Sequence, residues 1–264
     1  MTSVSLIITT YNWKEALGAV LRSIKEQTLL PNEVIIADDG SRRDTKELVM
    51  SYQQTFPVPI IHSWQPDEGF RAAESRNRAI AKASSDYIII IDGDIYLPQH
   101  FVKDHLNASK KGQFIQGGRV ILNEANSQRL ISKDIMPSFF DSGIKNRKNM
   151  LRNRLLSKLT SRIWNVDKST RSCNMSFWRE DALSVNGFNN EFVGWGREDS
   201  EFVYRLLHLG LDRLYLKFSA AGIHLYHKEN PRESLEKNDR IFKNTVLNKL
   251  TRCDKGIDRF LKEE

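Results

Sequence analysis

The chain has 264 residues, 40% hydrophobic and 28% charged, the balance of a globular protein rather than a disordered or fibrous one. At this length folding should bury roughly 70–75% of the unfolded surface, enough for one large domain or two small ones. Lysine and arginine (40) exceed aspartate and glutamate (33), a net charge of +7 that predicts an anionic partner: nucleic acid, a membrane surface or a phosphorylated small molecule. The two cysteines, Cys173 and Cys253, are far apart and in no metal-ligand spacing, which argues for a reducing compartment rather than a disulfide framework. No apolar run approaches the roughly 18–20 residues that span a bilayer. Val4 to Ile8 has no basic region before it and no cleavage-like site after it, so a signal peptide is not expected and a cytoplasmic location is.

In chain order, Val4 to Ile8 reads as a buried strand, broken by Thr9-Thr10-Tyr11-Asn12. Trp13 to Gln27 then carries Ala16, Leu17, Val20, Leu21 and Ile24 at helical spacing. A second strand, Glu33 to Ala37, stops at Asp38-Asp39-Gly40-Ser41 and is followed by a helix from Arg43 to about Gln53. Pro57 to His62 is a third strand, Ala72 to Ala83 a helix, and Tyr87 to Ile91 the most apolar strand in the chain. Strands alternating with helices imply βαβ units and a mostly parallel central sheet with helices on both faces. Ligands of open α/β sheets bind at the carboxyl ends of the strands. Three polar loops fall there: Thr9 to Asn12, Asp38 to Ser41 and Asp92 to Asp94.

After Phe114 to Val120 the pattern loosens. The stretch from Lys145 to Arg171 holds nine basic residues against a single acid, Asp167. Leu151, Leu155, Leu159 and Ile163 recur in it every four residues, which predicts an amphipathic helix packed on the core; an interfacial helix or flap meeting anionic lipid or acceptor is the alternative. From Asn230 the sequence is a mixed-charge helical tail.

Four strings can carry chemistry. Asp92-Gly93-Asp94 places two carboxylates around one small residue at a strand end, hard oxygen ligands that suit Mg²⁺ or Mn²⁺. His224 and His227, two of only six histidines, lie three apart, and an imidazole beside the aspartates favours Mn²⁺, with His227 preferred over His224. Gly194-Trp195-Gly196-Arg197-Glu198-Asp199 exposes an aromatic face on which a sugar can stack, with adjacent acids opening a helix. Macrodipole compensation accounts for one such acid, but paired acids beside a tryptophan suggest a general base. Arg71 and Arg76, at the start of the helix before Asp92, could flank an anion held by backbone amides.

Together with Ile7 to Asn12, Ile35 to Ser41 and Arg76-Asn77, these strings resemble the inverting family 2 glycosyltransferases with the GT-A fold. Residues 174–176, 187–199 and 224–227 resemble the C-terminal segment of β-1,4-galactosyltransferases and chondroitin polymerases. The resemblance covers about residues 4–230 and implies a GT-A domain with a nucleotide-binding half (about 1–120), an acceptor half (about 121–230) and a separate tail (231–264). It implies that Thr9, Tyr11 and Asp39, with Asp38 close by, hold the uridine of a UDP-sugar, and that Arg71 and Arg76 flank its diphosphate. Asp94, His227 and His224 would bind the metal, while Asp92, with Gly93, would contact ribose or donor sugar. Trp195 and Gly196 would shape the acceptor site, Asp199 would be the base, and Glu198 would bind a sugar hydroxyl. The acceptor expected is a glycan or lipid-linked glycan of bacterial surface polysaccharide or lipopolysaccharide, with the enzyme held peripherally at an anionic inner membrane. Two departures stand out: the segment Lys145 to Arg171 matches no motif, and Asn189-Asn190 replaces the usual glycine-aspartate. The competing readings are a sugar-phosphate nucleotidyltransferase, which lacks its Gly-rich phosphate loop here, and a non-catalytic nucleotide- or glycan-binding protein. A nucleic-acid binder is disfavoured because the basic residues lack interleaved aromatics.

Overall fold

The computed structural model describes residues 2–166, 170–228 and 234–261. Its first half is a run of alternating elements: β1 (Val4–Thr10), α1 (Lys14–Lys25), β2 (Glu33–Asp38), α2 (Arg43–Gln53), β3 (Ile60–Trp64), α3 (Ala72–Lys82) and β4 (Tyr87–Asp92). There follow β5 (Ile95–Tyr96), α4 (Phe101–Ala108), β6 (Gln113–Gln116), β7 (Arg119–Leu122), α5 (Glu124–Lys133), β8 (Ile144–Lys145), α6 (Arg154–Thr160) and β9 (Arg162–Ile163). The last stretch holds β10 (Asn174–Trp178), α7 (Arg179–Ser184), α8 (Glu198–His208), β11 (Asp212–Tyr215), β12 (Gly222–His224) and α9 (Leu235–Leu247).

The predicted strands of the first half are present, the third shifted to begin at Ile60 because Pro57 and Pro59 offer no amide to a ladder. An eight-stranded sheet runs in the order β3-β2-β1-β4-β10-β6-β11-β9, and a smaller one runs β5-β12-β7-β8. The β3, β2, β1 and β4 strands are parallel, whereas β10 enters antiparallel between β4 and β6. Unbroken Ile/Val runs have a direct packing cause. Alternate side chains of one strand face opposite sides, so a strand covered on both faces must be apolar throughout. Leu6 and Ile8 pack with Leu17, Val20 and Leu21 of α1, while Ile7 and Ile90 pack with Ile80 of α3 and Phe202 and Leu206 of α8.

Register then fixes the site. Thr10 lies opposite Asp38 and Thr9 opposite Asp92, so the polar ends of β1, β2 and β4 reach one sheet edge. Because β10 is antiparallel, its beginning, rather than its end, lies at that edge, with Asn174 opposite Ile91. The predicted tail is helical as α9, and it packs on α8: Thr245 donates to Glu201 at 3.0 Å, and Phe242 meets Tyr204 edge to face.

The basic segment departs from its predicted packing. Among its described residues only Arg154–Thr160 is α-helical, preceded by a short 3-10 turn at Arg147–Met150, and the four-residue repeat faces solvent: Leu155 is 67% and Leu159 73% exposed. The reason is local. Asn153 caps a helix of only two turns, and Arg162-Ile163 then extends as an edge strand on β11, so no continuous apolar face forms against the core. Asp167, Lys168 and Asn230 lie outside the described residues.

Stability should follow this division. Ile90→Ala, at a fully buried position on β4, is expected to cost about 2–5 kcal/mol in urea unfolding. Leu159→Ser should cost less than about 0.5 kcal/mol.

Candidate functional site

At the ends of β1 and β2 the acids are held by their own loops. Asp38 is fully buried, accepting the Ser41 amide at 2.7 Å and facing His62 Nε2 at 2.8 Å. It shapes the turn instead of opening onto the cleft. Asp39 accepts Gln65 Nε2 at 2.7 Å and the Arg71 amide at 2.8 Å, and burial raises its carboxyl to about 6. The Arg71 amide, predicted to serve an anion at the helix start, is therefore already taken. The Arg71 guanidinium pairs with Glu68 and Glu74, apart from the ion pairs of Arg76. Tyr11 is half exposed and donates to Asp67 at 3.0 Å, while Thr9 donates to Asp92 Oδ1 at 3.0 Å.

Beyond β4 the chain turns at Gly93, where an added Cβ would come within 2.5 Å of the Thr9 carbonyl. Only glycine lets the two carboxylates follow one another so tightly. Asp94 Oδ2 lies 3.5 Å from His224 Nε2 and 3.3 Å from His227 Nε2, and the three residues offer ligand atoms within 4.8 Å of one another. Burial pushes Asp94 up to about 7, with Asp92 adding to the rise, and burial lowers His224 to about 4, so that imidazole is neutral at pH 7. His227 Nδ1 donates to the Lys228 carbonyl at 2.7 Å, which turns Nε2 towards the Asp94 carboxylate. Asp94 Oδ1 and His224 Nδ1 are buried and without a hydrogen-bond partner among the described residues. A buried carboxylate facing two imidazole nitrogens, with one of its own oxygens unpartnered among the described residues, suits a bound cation. Two imidazoles favour Mn²⁺ over Mg²⁺.

Arg76 is the centre of the arrangement. Its side chain is almost wholly buried, lies 3.5 Å from Asp92 and 3.2 Å from Glu198, and stacks over Phe188. Burial opposes its charge, but Glu198, Asp92 and Asp199 outweigh that and hold its pKa above the ordinary value. Asp199 accepts the Ser200 amide at 2.7 Å and the Ser172 amide at 3.2 Å; burial, then Glu198, raises it to about 7. Gly194, Gly196 and Arg197 all have positive φ, the conformation that swings Trp195 out to 38% exposure before α8 begins. The Gly194 amide donates to the Phe70 carbonyl at 2.9 Å, tying this loop to the one before α3. Asn189-Asn190 is used structurally: Asn190 accepts Asn77 Nδ2 at 2.7 Å.

The structure thus brings Thr9, Arg76, Asp92 and Glu198 into one hydrogen-bonded and ion-paired set. Asp94 with its histidines adjoins it through Gly93, and Asp199 through Glu198. Sequence reasoning missed His62, Gln65, Ser172 and Arg119. The first three carry no motif, being ordinary polar residues that matter through one hydrogen bond each. Arg119 had a signal, the Gln116-Gly117-Gly118-Arg119 string at a strand end.

Comparison with known proteins agrees with this geometry. The family model for "Glycosyl transferase family 2" matches residues 5–185, and that for "N-terminal domain of galactosyltransferase" matches residues 159–228. A chondroitin synthase of Escherichia coli is 25% identical, the alignment covering 92% of this chain and 37% of the synthase. This chain therefore spans little more than a third of that relative. S. aureus TarS 1–349, solved in complex with UDP, superposes with a TM-score of 0.65 at 18% identity, over 99% of this chain and 70% of that one. The mannosyltransferase PcManGT from Pyrobaculum calidifontis, solved with GDP-Man and Mn²⁺, gives 0.58 at 17% identity, over 93% and 62%. At such identities the structural likeness carries the fold alone.

The raised Asp199 carboxyl predicts a pH dependence. Its folded pKa of about 7 exceeds the unfolded value of 3.8, so the folded state holds the extra proton between them and stability falls as pH rises from about 4 to 7. Asp199→Asn should flatten that fall in thermal melts taken across this range; an unchanged slope would mean that Asp199 is ordinarily acidic.

Proposed function

The chain belongs to glycosyl transferase family 2, and we propose that within it the protein is a metal-dependent inverting enzyme that moves a hexose or N-acetylhexosamine from a UDP-sugar to a glycan acceptor. It is a glycosyltransferase of the GT-A fold. The single observation that carries the finer reading is the Arg76 guanidinium, within 3.5 Å of both Asp92 and Glu198. One buried cation ties the strand end that faces the donor to the helix start that carries the candidate base.

In this mechanism Tyr11 and Asp39, at the ends of β1 and β2, bind the uridine, and Asp92 takes the ribose or donor sugar. Asp94, His224 and His227 would hold a divalent cation, Mn²⁺ by their chemistry, which when bound supplies charge neutralisation to a leaving diphosphate. Asp199, its pKa near neutrality, takes the proton of the acceptor hydroxyl on the face opposite the leaving group, so the anomeric configuration inverts. Glu198 orients that acceptor, Trp195 offers its ring to a sugar face, and Arg76 sets a positive charge opposite Asp92 and Glu198 in a cleft where Coulomb energies are several times those in bulk water.

Polysaccharide assembly at the anionic inner leaflet suits this reading, supported by the polysaccharide-synthase relative and by exposed Leu155 and Leu159 beside Arg154 and Lys158. No helix among the described residues is long and apolar enough to cross a membrane.

Three measurements test these statements. Asp199→Asn should lower UDP release from a UDP-sugar by about 10²–10⁴ while leaving UDP affinity intact; near wild-type kcat would remove Asp199 from the base role. Asp94→Ala should abolish the Mn²⁺-dependent part of UDP binding in calorimetry, and unchanged affinity would refute the metal site. Sedimentation with phosphatidylglycerol vesicles should drop more than about tenfold in the Leu155→Ser/Leu159→Ser double variant; equal sedimentation of the two proteins would refute membrane docking.

A further inference from the structure

A cavity of about 750 Å³ opens at the sheet edge on the far side of β4 from the uridine-facing loops, among the end of β6, the start of β10 and the end of β11. Four cations line it, Arg119, Arg147, Lys148 and Arg171, and among the described residues no carboxylate does. Elsewhere in this protein arginines near the site are paired, as Arg76 is with Glu198 and Arg152 with Asp104. Among the described residues none of the four lining cations forms an ion pair. The Arg119 guanidinium donates to Cys173 Sγ at 3.8 Å, its Nε is buried without a hydrogen-bond partner among the described residues, and Arg147 donates to the carbonyls of Phe139 and Asp141.

Position links this cavity to the reaction. Arg171 and Cys173 line it, and the amide of Ser172 between them is the one that Asp199 accepts at 3.2 Å. On its other side Arg119 pairs in register with Gly222, two residues before the His224 of the candidate metal site. Three of its four cations come from the basic segment that matched no motif. Four like charges gathered in a concave space, with no ion-paired carboxylate among the described residues and Asp94 acting on Arg119 only through space, repel one another, and an anionic ligand would relieve that repulsion.

We propose that this cavity is an acceptor subsite for an anionic group, a carboxylate or a phosphate carried on the glycan, which Arg119, Lys148 and Arg171 hold so that a neighbouring hydroxyl faces Asp199. The inference rests on the transferase reading for its catalytic sense, but the charge preference is measurable without turnover. Calorimetry on the full chain saturated with UDP and Mn²⁺, so that the donor site is filled, would compare three probes: octyl β-glucoside, octyl β-glucuronide and octyl β-glucoside 6-phosphate. At least one charged probe should bind about tenfold or more tighter than the neutral one, as expected for hydrogen bonds to charged groups, and whichever is favoured identifies the anion. The double variant Lys148→Gln/Arg171→Gln should lose that preference while its Kd for UDP stays unchanged. Equal or undetectable binding of all three probes would overturn the subsite. So would a double variant that weakens UDP binding, since its cations would then serve the donor's diphosphate. A charge preference in a protein that never releases UDP from any UDP-sugar sinks the transferase reading and leaves the anion site standing; UDP release without a charge preference does the reverse.

Discussion

A guanidinium buried among carboxylates sets the logic of this molecule. Arg76 sits in the second turn of α3, yet its partners come from the end of β4 and the start of α8, 16 and 122 residues further along the chain. Burying one ion without water costs several kcal/mol, and attraction to a single partner often fails to repay it. Partial payment from two acids, with a third close by and the Phe188 face beneath, keeps the site charged instead of neutral. Removing any one partner leaves the others unbalanced, so the arrangement holds α8 against α3 and joins the end of β4 to the start of α8.

The same burial tunes the neighbouring acids upward. Asp94 and Asp199 both rise to about 7, whereas Arg76 is held firmly cationic. A carboxylate poised near neutrality can take a proton, and one crowded against two imidazoles gains most from a cation placed between them. One cause, desolvation at a crowded sheet edge, thus raises two carboxyls whose proposed roles differ. What separates them is the local partner: amides of Ser172 and Ser200 for Asp199, and imidazoles for Asp94.

Much of this was legible in the sequence wherever a residue's role follows from its immediate neighbours. Ile88 to Ile91 had to be a strand covered on both faces, and Asp92-Gly93-Asp94 had to turn at its end. The gathering of Thr9, Asp38 and Asp92 could be read because βαβ topology sends the ends of the parallel strands β1, β2 and β4 to one edge, so motifs far apart in sequence converge without any contact being known. Two kinds of feature escaped. Asp38 looked like a ligand-facing acid, but its neighbour His62 comes from another strand, and nothing local announces that pairing. Leu151 to Ile163 had helical spacing, but spacing says nothing about whether a core exists on the other side, and here the chain bends into an edge strand before one can form.

That bend gives the basic segment two different environments. Its middle, around Leu155 and Leu159, projects outward, whereas its ends return to the sheet edge and deliver Arg147, Lys148 and Arg171 to the cavity beside Asp199. A single long amphipathic helix would have spread those cations along one solvated face, each screened by water and salt within about 10 Å. Folding the segment back concentrates them in a concave space, where water is fewer and the field is stronger. The irregularity that defeated the helical reading is therefore what brings three of the segment's cations to the sheet edge beside Ser172, the residue whose amide Asp199 accepts.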